Sequence, residues 1–339
     1  MHPRGRACII VPESGFGLRM HGGCLMRILF AALFVFACAG ASIAQAVDPA
    51  LLAPGDDVLF VDEIVITERD GGAFKVTADL YRPAGGEKLP GIVIAHGGGF
   101  VAGSKDAFGI PEVSRYFARN GFVVLAVDYR LLQHGGLFPK NAQDVKCAIQ
   151  WLRANADAYG VDTARIAIQG NSAGGYMASF AAVTQTSEEF NASCGSPGLD
   201  AQPPAVDLVV AWYGVHDFTT MTHNLVKAMT ISYFQGIKDI PAFKKHISPI
   251  TYAQNAPPML LLHGTADQLV PFDQSVRMCE AVNAAGGDCA LIEYPGVDHG
   301  FIGERLGTDN ADNALFVTAK WLRERFAAMS APVAPEAGK

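Results

Sequence analysis

A serine set between two glycines is the first feature of this chain that could do chemistry. Ser172 lies in the pentapeptide Gly170–Gly174, after the β-type run Arg165–Gln169 and before a segment of small residues, Ala173–Ala178. This context is typical of a nucleophile elbow, in which a sharp turn lifts a serine hydroxyl above a sheet and only small neighbours fit. The pattern alone recurs by chance in Gly/Ser turns. With the strand and the helix around it, it predicts that Ser172 is a nucleophile.

A second glycine-rich segment follows the short apolar strand Leu89–Ala95. It reads His-Gly-Gly-Gly-Phe over His96–Phe100, and consecutive glycines let backbone N–H groups approach a ligand closely. The alternatives are a flexible loop or a phosphate-binding nest, but the Lys and Ser/Thr ending of a phosphate loop is absent. His96 is expected to hold this loop through hydrogen bonds. We therefore expect an oxyanion hole made by three backbone N–H groups, those of Gly98, Gly99 and Ala173.

The partners of the serine are predicted at the ends of two later strands. Asp267 follows the apolar strand Pro257–Leu262, and His299 follows the strand Ala290–Tyr294. The resulting chain order is serine, acid, histidine. In such a triad the imidazole of His299 takes the serine proton, and Asp267 fixes the imidazole tautomer and stabilises its charged form.

Both partners have rivals in the sequence. His263 stands at an apolar strand end, where it is expected to satisfy a backbone group. Asp298 directly precedes the base, and adjacent loop side chains usually point apart, so Asp267 is preferred as the acid. The remaining histidines considered are expected to be structural or on the surface: His134, His216, His223 and His246.

Together these motifs resemble those of the α/β-hydrolase esterases with a His-Gly-Gly-Gly oxyanion loop. That branch includes the hormone-sensitive-lipase-like carboxylesterases and the bacterial feruloyl- and acetylxylan-esterase-like (BD-FAE-like) proteins. The similarity runs from about Leu80 to Phe316, and the further matching segments are Val127–Leu131, Phe138–Pro139, Asp144–Lys146 and Trp151–Arg153. The resemblance implies a serine carboxylesterase that works through an acyl-enzyme, without a metal or an organic cofactor.

The chain departs from the commonest pattern of that branch at two places near the cleft. Asn171 fills a position often taken by Asp, Glu or Gly, and Leu132–Gly136 replaces an Ala-Pro-Glu segment. Neither change touches the triad, but both border the expected cleft, so they leave the identity of the substrate open.

Aromatic residues near the motifs are expected to favour short or aromatic acyl groups. With secretion, this makes feruloyl or acetyl esters of plant-wall polysaccharide a candidate substrate. An amidase or peptidase could use the same triad, although prolyl-peptidase relatives carry a large N-terminal domain, for which the region before Val58 is too short. A binding module without activity would lack the serine or the histidine. The residues expected to line the pocket are Phe100, Trp212, Tyr213 and Phe218.

The N-terminal segment indicates export. Residues 26–46 contain a basic start, an apolar run of about ten residues and an Ala-x-Ala site, as in a secretory signal peptide. The run is too short to span a membrane. Residues 1–25 do not fit a signal and are expected to be a non-native upstream extension. We therefore expect a periplasmic or secreted mature chain, 47–339, folded as one large α/β domain.

Composition limits the partners and the redox chemistry. The chain has 339 residues and a formal charge of −7, which argues against nucleic acid or an anionic membrane surface as a partner. No Cys-x-x-Cys pair or His/Cys cluster indicates zinc. The cysteines after the predicted cleavage site permit two disulfides in an oxidising compartment, and a local Cys279–Cys289 bridge is slightly favoured over buried thiols. Those cysteines are Cys147, Cys194, Cys279 and Cys289. The oligomeric state is left open.

The order of the predicted elements indicates the α/β class. A β-hairpin over Val58–Tyr81 is followed by strands that alternate with helices, up to a last helix over Asp309–Met329. This alternation predicts a mostly parallel central sheet with helices on both faces, which is the α/β-hydrolase fold that the resemblance implies. The stretch 214–256 is longer than an ordinary connection and is expected to form a small helical lid. The tail, 331–339, is expected to be disordered.

Overall fold

The protein is described here by a computed structural model that covers residues 47–85, 87–221, 234, 236–301 and 306–330. All of these residues belong to one compact unit. The predicted signal peptide, the upstream extension and the tail 331–339 lie outside them.

Eight strands form a single sheet within the described residues. They are β1 (Val58–Arg69), β2 (Phe74–Pro83), β3 (Leu89–Ala95), β4 (Val123–Asp128), β5 (Val161–Asn171), β6 (Leu208–Trp212), β7 (Met259–Gly264) and β8 (Cys289–Tyr294). The order across the sheet is β1-β2-β4-β3-β5-β6-β7-β8. Strand β2 pairs antiparallel with β1 and β4, and every later pairing is parallel. The sheet is therefore mostly parallel, with the predicted hairpin at one edge.

Helices connect the parallel strands. In the described residues they are α1 (Ile110–Arg119), α2 (Lys140–Ala154), α3 (Ala156–Tyr159), α4 (Ala173–Val183), α5 (Pro197–Asp200), α6 (Ile240–His246), α7 (Asp273–Ala284) and α8 (Asp309–Ser330). None of them is long and apolar enough to cross a membrane.

The sheet separates two hydrophobic cores. Side chains alternate between the two faces of a strand, so Val93 and Ala95 of β3 pack into the core under α2, α4 and α7. Ile92 and Ile94 of the same strand pack into the core under α1 and α8. Because both faces are covered, the central strands are apolar runs, as expected for buried parallel strands. This is the α/β-hydrolase fold that the sequence predicts.

Two disulfides tie helices to neighbouring segments. Cys279 on α7 pairs with Cys289 at the start of β8, which confirms the local bridge. Cys147 on α2 pairs with Cys194, which precedes α5. The sequence left this second pairing open among the possible partners.

The stretch predicted as a lid is only partly described. Its described part contains α6 and a 3₁₀ segment, Pro249–Asn255. Phe243 of α6 contacts Phe138, with ring centroids 6.0 Å apart. Residues 222–233 and 235 of this stretch lie outside the described residues, so the function of the lid stays a prediction.

Candidate active site

The turn between β5 and α4 carries Ser172 in a strained backbone conformation. The serine has φ 54° and ψ −117°, a region that non-glycine residues rarely adopt. Its N–H donates to the carbonyl of Trp212 at 2.9 Å, and its own carbonyl accepts the N–H of Tyr176 at 3.0 Å. These bonds hold the turn that the sequence predicts as a nucleophile elbow.

The two glycines of the motif are required by close packing. A Cβ atom at Gly170 would collide with the carbonyl group of Gly174, and a Cβ atom at Gly174 would collide with the carbonyl oxygen of Ala95. Any larger residue at either position would therefore push the elbow away from the end of β3.

Three side chains from three strand ends meet in one hydrogen-bonded chain. Ser172 follows β5, Asp267 follows β7 and His299 follows β8. The hydroxyl of Ser172 donates to Nε2 of His299 at 2.9 Å. The Nδ1–H of His299 donates to Oδ2 of Asp267 at 2.7 Å. The structure thus brings together the three residues predicted as a triad, in the bonding order that general-base activation of a serine requires.

The glycine loop after β3 packs directly against the elbow. A Cβ atom at Gly97 would lie 3.0 Å from the carbonyl oxygen of Asn171. Gly98 and Gly99 have φ values of 115° and 61°, which glycine adopts without strain. Among the described residues, none accepts a hydrogen bond from the N–H of Gly98, Gly99 or Ala173. The N–H of Ala173 lies in the first turn of α4, where a helix supplies no carbonyl partner from its own backbone.

This arrangement leaves backbone N–H donors available beside the serine. It fits the predicted oxyanion hole, in which such donors bind the negative oxygen of a tetrahedral intermediate. Their catalytic role stays a prediction.

Comparison with known proteins identifies the family. The model of the BD-FAE family matches residues 78–282. The chain belongs to the BD-FAE family. The match begins in β2 and ends in α7, so it includes the elbow, the glycine loop and Asp267, while His299 lies beyond it.

Relatives of this BD-FAE chain are named as esterases. It is 33% identical over 239 residues to esterase LipC of Mycobacterium tuberculosis, which covers 67% of this chain and 58% of the relative. It is 30% identical to ethyl acetate hydrolase of Pseudomonas putida, covering 78% of this chain and 82% of that one. The chain spans a little over half the length of the three mycobacterial relatives, LipC, LipM and LipQ.

Solved esterase structures share the fold of the BD-FAE chain. A truncated carbohydrate esterase from gut microbiota superposes with a TM-score of 0.68 at 26% identity, covering 81% of this chain and 99% of the other. Thermogutta terrifontis esterase 2 in its butyrate-bound form gives a TM-score of 0.63 at 25% identity, covering 83% and 97%.

Asp267, the acid of the BD-FAE site, is buried and accepts several hydrogen bonds. Oδ1 of Asp267 accepts the backbone N–H groups of Leu269 at 2.9 Å and Val270 at 2.8 Å. Burial raises the pKa of the carboxyl, but hydrogen bonds from His263 and His299 outweigh burial and hold the pKa well below its usual range. Asp267 is therefore an anion throughout the neutral pH range, as a residue that stabilises an imidazolium must be.

His96 supports the glycine loop as expected. Burial lowers its pKa to about 4, so the ring is neutral at pH 7. It stacks on Tyr129 with ring centroids 4.4 Å apart, and the Tyr129 hydroxyl donates to the carbonyl of His96 at 2.9 Å. Nδ1 of His96 lies 2.7 Å from the carbonyl oxygen of Gly97. These contacts anchor the start of the loop.

Three of the four predicted pocket residues contact His299 or the helix that follows the serine. The ring centroid of Tyr213 is 4.8 Å from that of His299. Phe100 and Phe218 each make an edge contact with Tyr176, four residues after the serine, with centroids 5.4 and 5.3 Å apart. All three side chains are buried, and their contact with substrate stays a prediction.

Trp212 is not in the cleft, contrary to the prediction. Its indole N–H donates to the hydroxyl of Thr318 on α8 at 3.2 Å, and its ring packs near Phe117 of α1. The physical reason is strand alternation. Trp212 is the last residue of β6 and points to the core under α1 and α8, while Tyr213 begins the loop that faces His299.

Two residues support the triad in ways that the sequence did not predict. Asp298 accepts the backbone N–H groups of Gln268 at 2.9 Å and His299 at 2.7 Å, so it joins the loops that carry the acid and the base. His263 contacts the carbonyl of Val270, as expected, but also the carboxylate of Asp267. Its position four residues before the acid was the signal that could have indicated this second contact.

Among the described residues, no cluster of His, Cys, Asp or Glu is arranged to hold a metal ion.

Proposed function

We propose that this chain is a serine carboxylic ester hydrolase that works through an acyl-enzyme. The observation that carries the proposal is the hydrogen-bonded chain from Ser172 through His299 to Asp267. The names of its relatives, esterases and an ethyl acetate hydrolase, support the same reaction class.

In the proposed mechanism, Ser172 attacks the ester carbonyl while Nε2 of His299 takes the hydroxyl proton. The N–H groups of Gly98, Gly99 and Ala173 bind the oxyanion of the tetrahedral intermediate. His299 then passes the proton to the leaving alcohol, and the acyl group remains on the serine oxygen. A water molecule, deprotonated by His299, hydrolyses this acyl-enzyme in a second tetrahedral step and restores the free serine.

We further propose short-chain or aromatic acyl esters as substrates. Ethyl acetate hydrolase and the esterase bound to butyrate support short acyl groups. The carbohydrate esterase among the structural relatives supports carbohydrate esters as substrates, and we propose acetyl or feruloyl groups on plant-wall polysaccharide as esters of this kind. The buried aromatic rings of Phe100, Tyr176 and Phe218, which contact one another near the serine, support an apolar acyl site.

A periplasmic or secreted location is also proposed. It is supported by the signal-like segment 26–46 and by the two disulfides, since such bonds persist mainly in oxidising compartments.

The reaction class is tested with p-nitrophenyl acetate and the purified chain. Wild type should release p-nitrophenol, and Ser172→Ala should be inactive while keeping the circular dichroism and melting temperature of wild type. Equal rates in the two proteins would contradict the proposal, and so would a wild type with no activity on any ester tested.

The substrate class is tested with a series of acetyl, butyryl, octanoyl and feruloyl esters, with an anilide as the amide control. The proposal predicts that kcat/KM is highest for acetyl, butyryl or feruloyl esters and falls for octanoyl. Faster cleavage of the anilide than of the matching ester would favour an amidase instead.

A further inference from the structure

A second histidine shares the carboxylate oxygen that His299 contacts. Nε2 of His263, in β7, lies 3.2 Å from Oδ2 of Asp267, and the same oxygen is 2.7 Å from Nδ1 of His299. The side chain of His263 is fully buried. A buried imidazole against the acid of the triad calls for a role beyond packing.

The neighbours of His263 define which ring nitrogen carries the hydrogen. Nε2 faces two oxygen acceptors, Oδ2 of Asp267 and the carbonyl of Val270 at 2.9 Å, so it must be the donor. Nδ1 lies 2.7 Å from Oγ of Ser275 on α7. With the hydrogen on Nε2, a neutral ring accepts the Ser275 hydroxyl at Nδ1. In the part of the chain that the structure describes, this hydroxyl has no other partner.

We propose that His263 is a positioning residue for the acid of the triad, and that Ser275 fixes its tautomer. This inference rests on the function proposed above. The two serines and two histidines then form one continuous chain of hydrogen bonds centred on Asp267. Ser275 donates to His263, His263 and His299 both donate to Oδ2 of Asp267, and Ser172 donates to His299.

Two donors on one oxygen have a consequence for the base. Each N–H that Oδ2 accepts draws on its negative charge, so His263 moderates the charge that Asp267 presents to His299. It also limits rotation of the carboxylate, because Oδ1 is held by backbone N–H groups at the same time. Loss of His263 should therefore strengthen the hold of Asp267 on protonated His299 and loosen the alignment of the triad.

Two other titratable groups lie near this hydrogen-bonded chain. Asp298 is exposed and interacts electrostatically with Asp267 and His299. His216, in the loop after β6, is fully buried beside His263, and burial lowers its pKa to about 3. His216 is therefore neutral in the assay range. In the described part of the chain its ring nitrogens have no hydrogen-bond partner, which makes it a matched control for His263.

The test is a pH profile of kcat and KM for p-nitrophenyl acetate. His263→Leu removes the donor, and His263→Gln keeps an amide N–H that can reach the same oxygen. We expect His263→Leu to lower kcat on the order of tenfold with little change in KM, and to move the acid limb of kcat/KM to higher pH. His263→Gln should recover most of kcat, and Ser275→Ala should show a smaller change in the same direction.

The controls separate positioning from stability. His216→Leu and Ser114→Ala remove a buried histidine and a buried helical serine that do not contact the triad, and they should leave the acid limb in place. If His263→Leu does not fold, as judged by circular dichroism, the test depends on Ser275→Ala. A shift of its acid limb to higher pH would support the inference, and an unchanged limb would overturn it. The inference is overturned if the folded His263 or Ser275 variants keep the wild-type limb and kcat, or if the controls move the limb equally.

The two proposals fail differently. Wild-type activity in Ser172→Ala would remove the proposed function and this inference with it. An inactive Ser172→Ala beside unchanged His263 and Ser275 variants would overturn only the inference.

Discussion

At the scale of single residues, the site depends on one buried carboxylate. Asp267 is an anion because the hydrogen bonds on it outweigh the cost of its burial. It orients His299 by accepting the Nδ1–H, which leaves Nε2 free to accept from Ser172. The chemistry proposed for the serine therefore requires that the Asp267 side chain accepts a hydrogen bond from His299 and does not donate one.

Asp267→Asn should lower kcat on the order of 10⁴-fold, since an amide N–H at this position stabilises the wrong tautomer of the imidazole. Steady-state kinetics with p-nitrophenyl butyrate measures this. Asp298→Asn is the matched control, because an amide oxygen can still accept the two backbone N–H groups there. A loss below about tenfold in Asp267→Asn would exclude Asp267 as the acid.

The glycine at the start of α4 offers a test of the elbow. Gly174→Ala should destabilise the protein by about 1–3 kcal/mol, because the new Cβ meets the carbonyl oxygen of Ala95, even though alanine favours a helix. Gly198→Ala is the control, because the nearest atom to its Cβ would be 3.9 Å away. Urea denaturation measures both, and equal stabilities would contradict the packing of the elbow against β3.

Residue types and spacing were enough to predict which side chains meet, because each follows a strand in a parallel sheet. They did not predict where Trp212 points, because that depends on the register of β6 in the sheet. Val210 and Trp212 of β6 face the core under α1 and α8, and Val209 and Ala211 face the other core. A shift of one residue along a strand moves a side chain to the opposite face.

At the scale of elements, the glycine loop is held at both ends. His96 and Tyr129 anchor its start. At its far end, the ammonium group of Lys105 contacts Asp79 on β2 at 3.2 Å, and its backbone N–H donates to Asp128. Asp128 ends β4, so the loop that carries the proposed oxyanion donors is tied to two neighbouring strands.

The burial of Asp128 makes the stability of the fold depend on pH. Burial raises the pKa of Asp128 from 3.8 to about 6, so between these values the folded state binds more protons than the unfolded state and stability falls as pH rises. Asp128→Asn keeps an acceptor for the Lys105 N–H without a charge. Its gain in unfolding free energy over wild type should grow from near zero at about pH 4 to about 2–3 kcal/mol above pH 7.

Urea denaturation of wild type and Asp128→Asn at several pH values measures this difference. A constant difference across the range would show that Asp128 does not titrate as its burial requires. Asp207→Asn on the opposite end of the sheet is a useful comparison, because burial also raises the pKa of that carboxyl.

At the scale of the whole molecule, the alternation of strands and helices predicted a mostly parallel sheet with helices on both faces, and the family resemblance implied the α/β-hydrolase fold. The Cys279–Cys289 bridge could also be predicted from the sequence, because its cysteines are 10 residues apart on adjoining elements. The Cys147–Cys194 bridge was not, because it spans 47 residues and depends on how the segment before α5 packs against α2.

The two bridges should differ in their effect on stability. Closing the longer loop removes more conformational freedom from the unfolded chain, so loss of Cys147–Cys194 should cost about 4 kcal/mol and loss of Cys279–Cys289 about 3 kcal/mol. Urea denaturation of the two double alanine variants measures both values. No loss in either variant would contradict a stabilising role for the bridges and weaken the proposal of an oxidising compartment.

The most direct test of the central claim is covalent labelling of the nucleophile. Thermogutta terrifontis esterase 2, which shares this fold, is known in a form phosphorylated by paraoxon. Treated with paraoxon and measured as intact protein and as peptides by mass spectrometry, the wild-type chain should gain a single diethylphosphoryl group on Ser172 and lose activity in proportion. Labelling at another residue, or equal labelling of Ser172→Ala, would contradict the account.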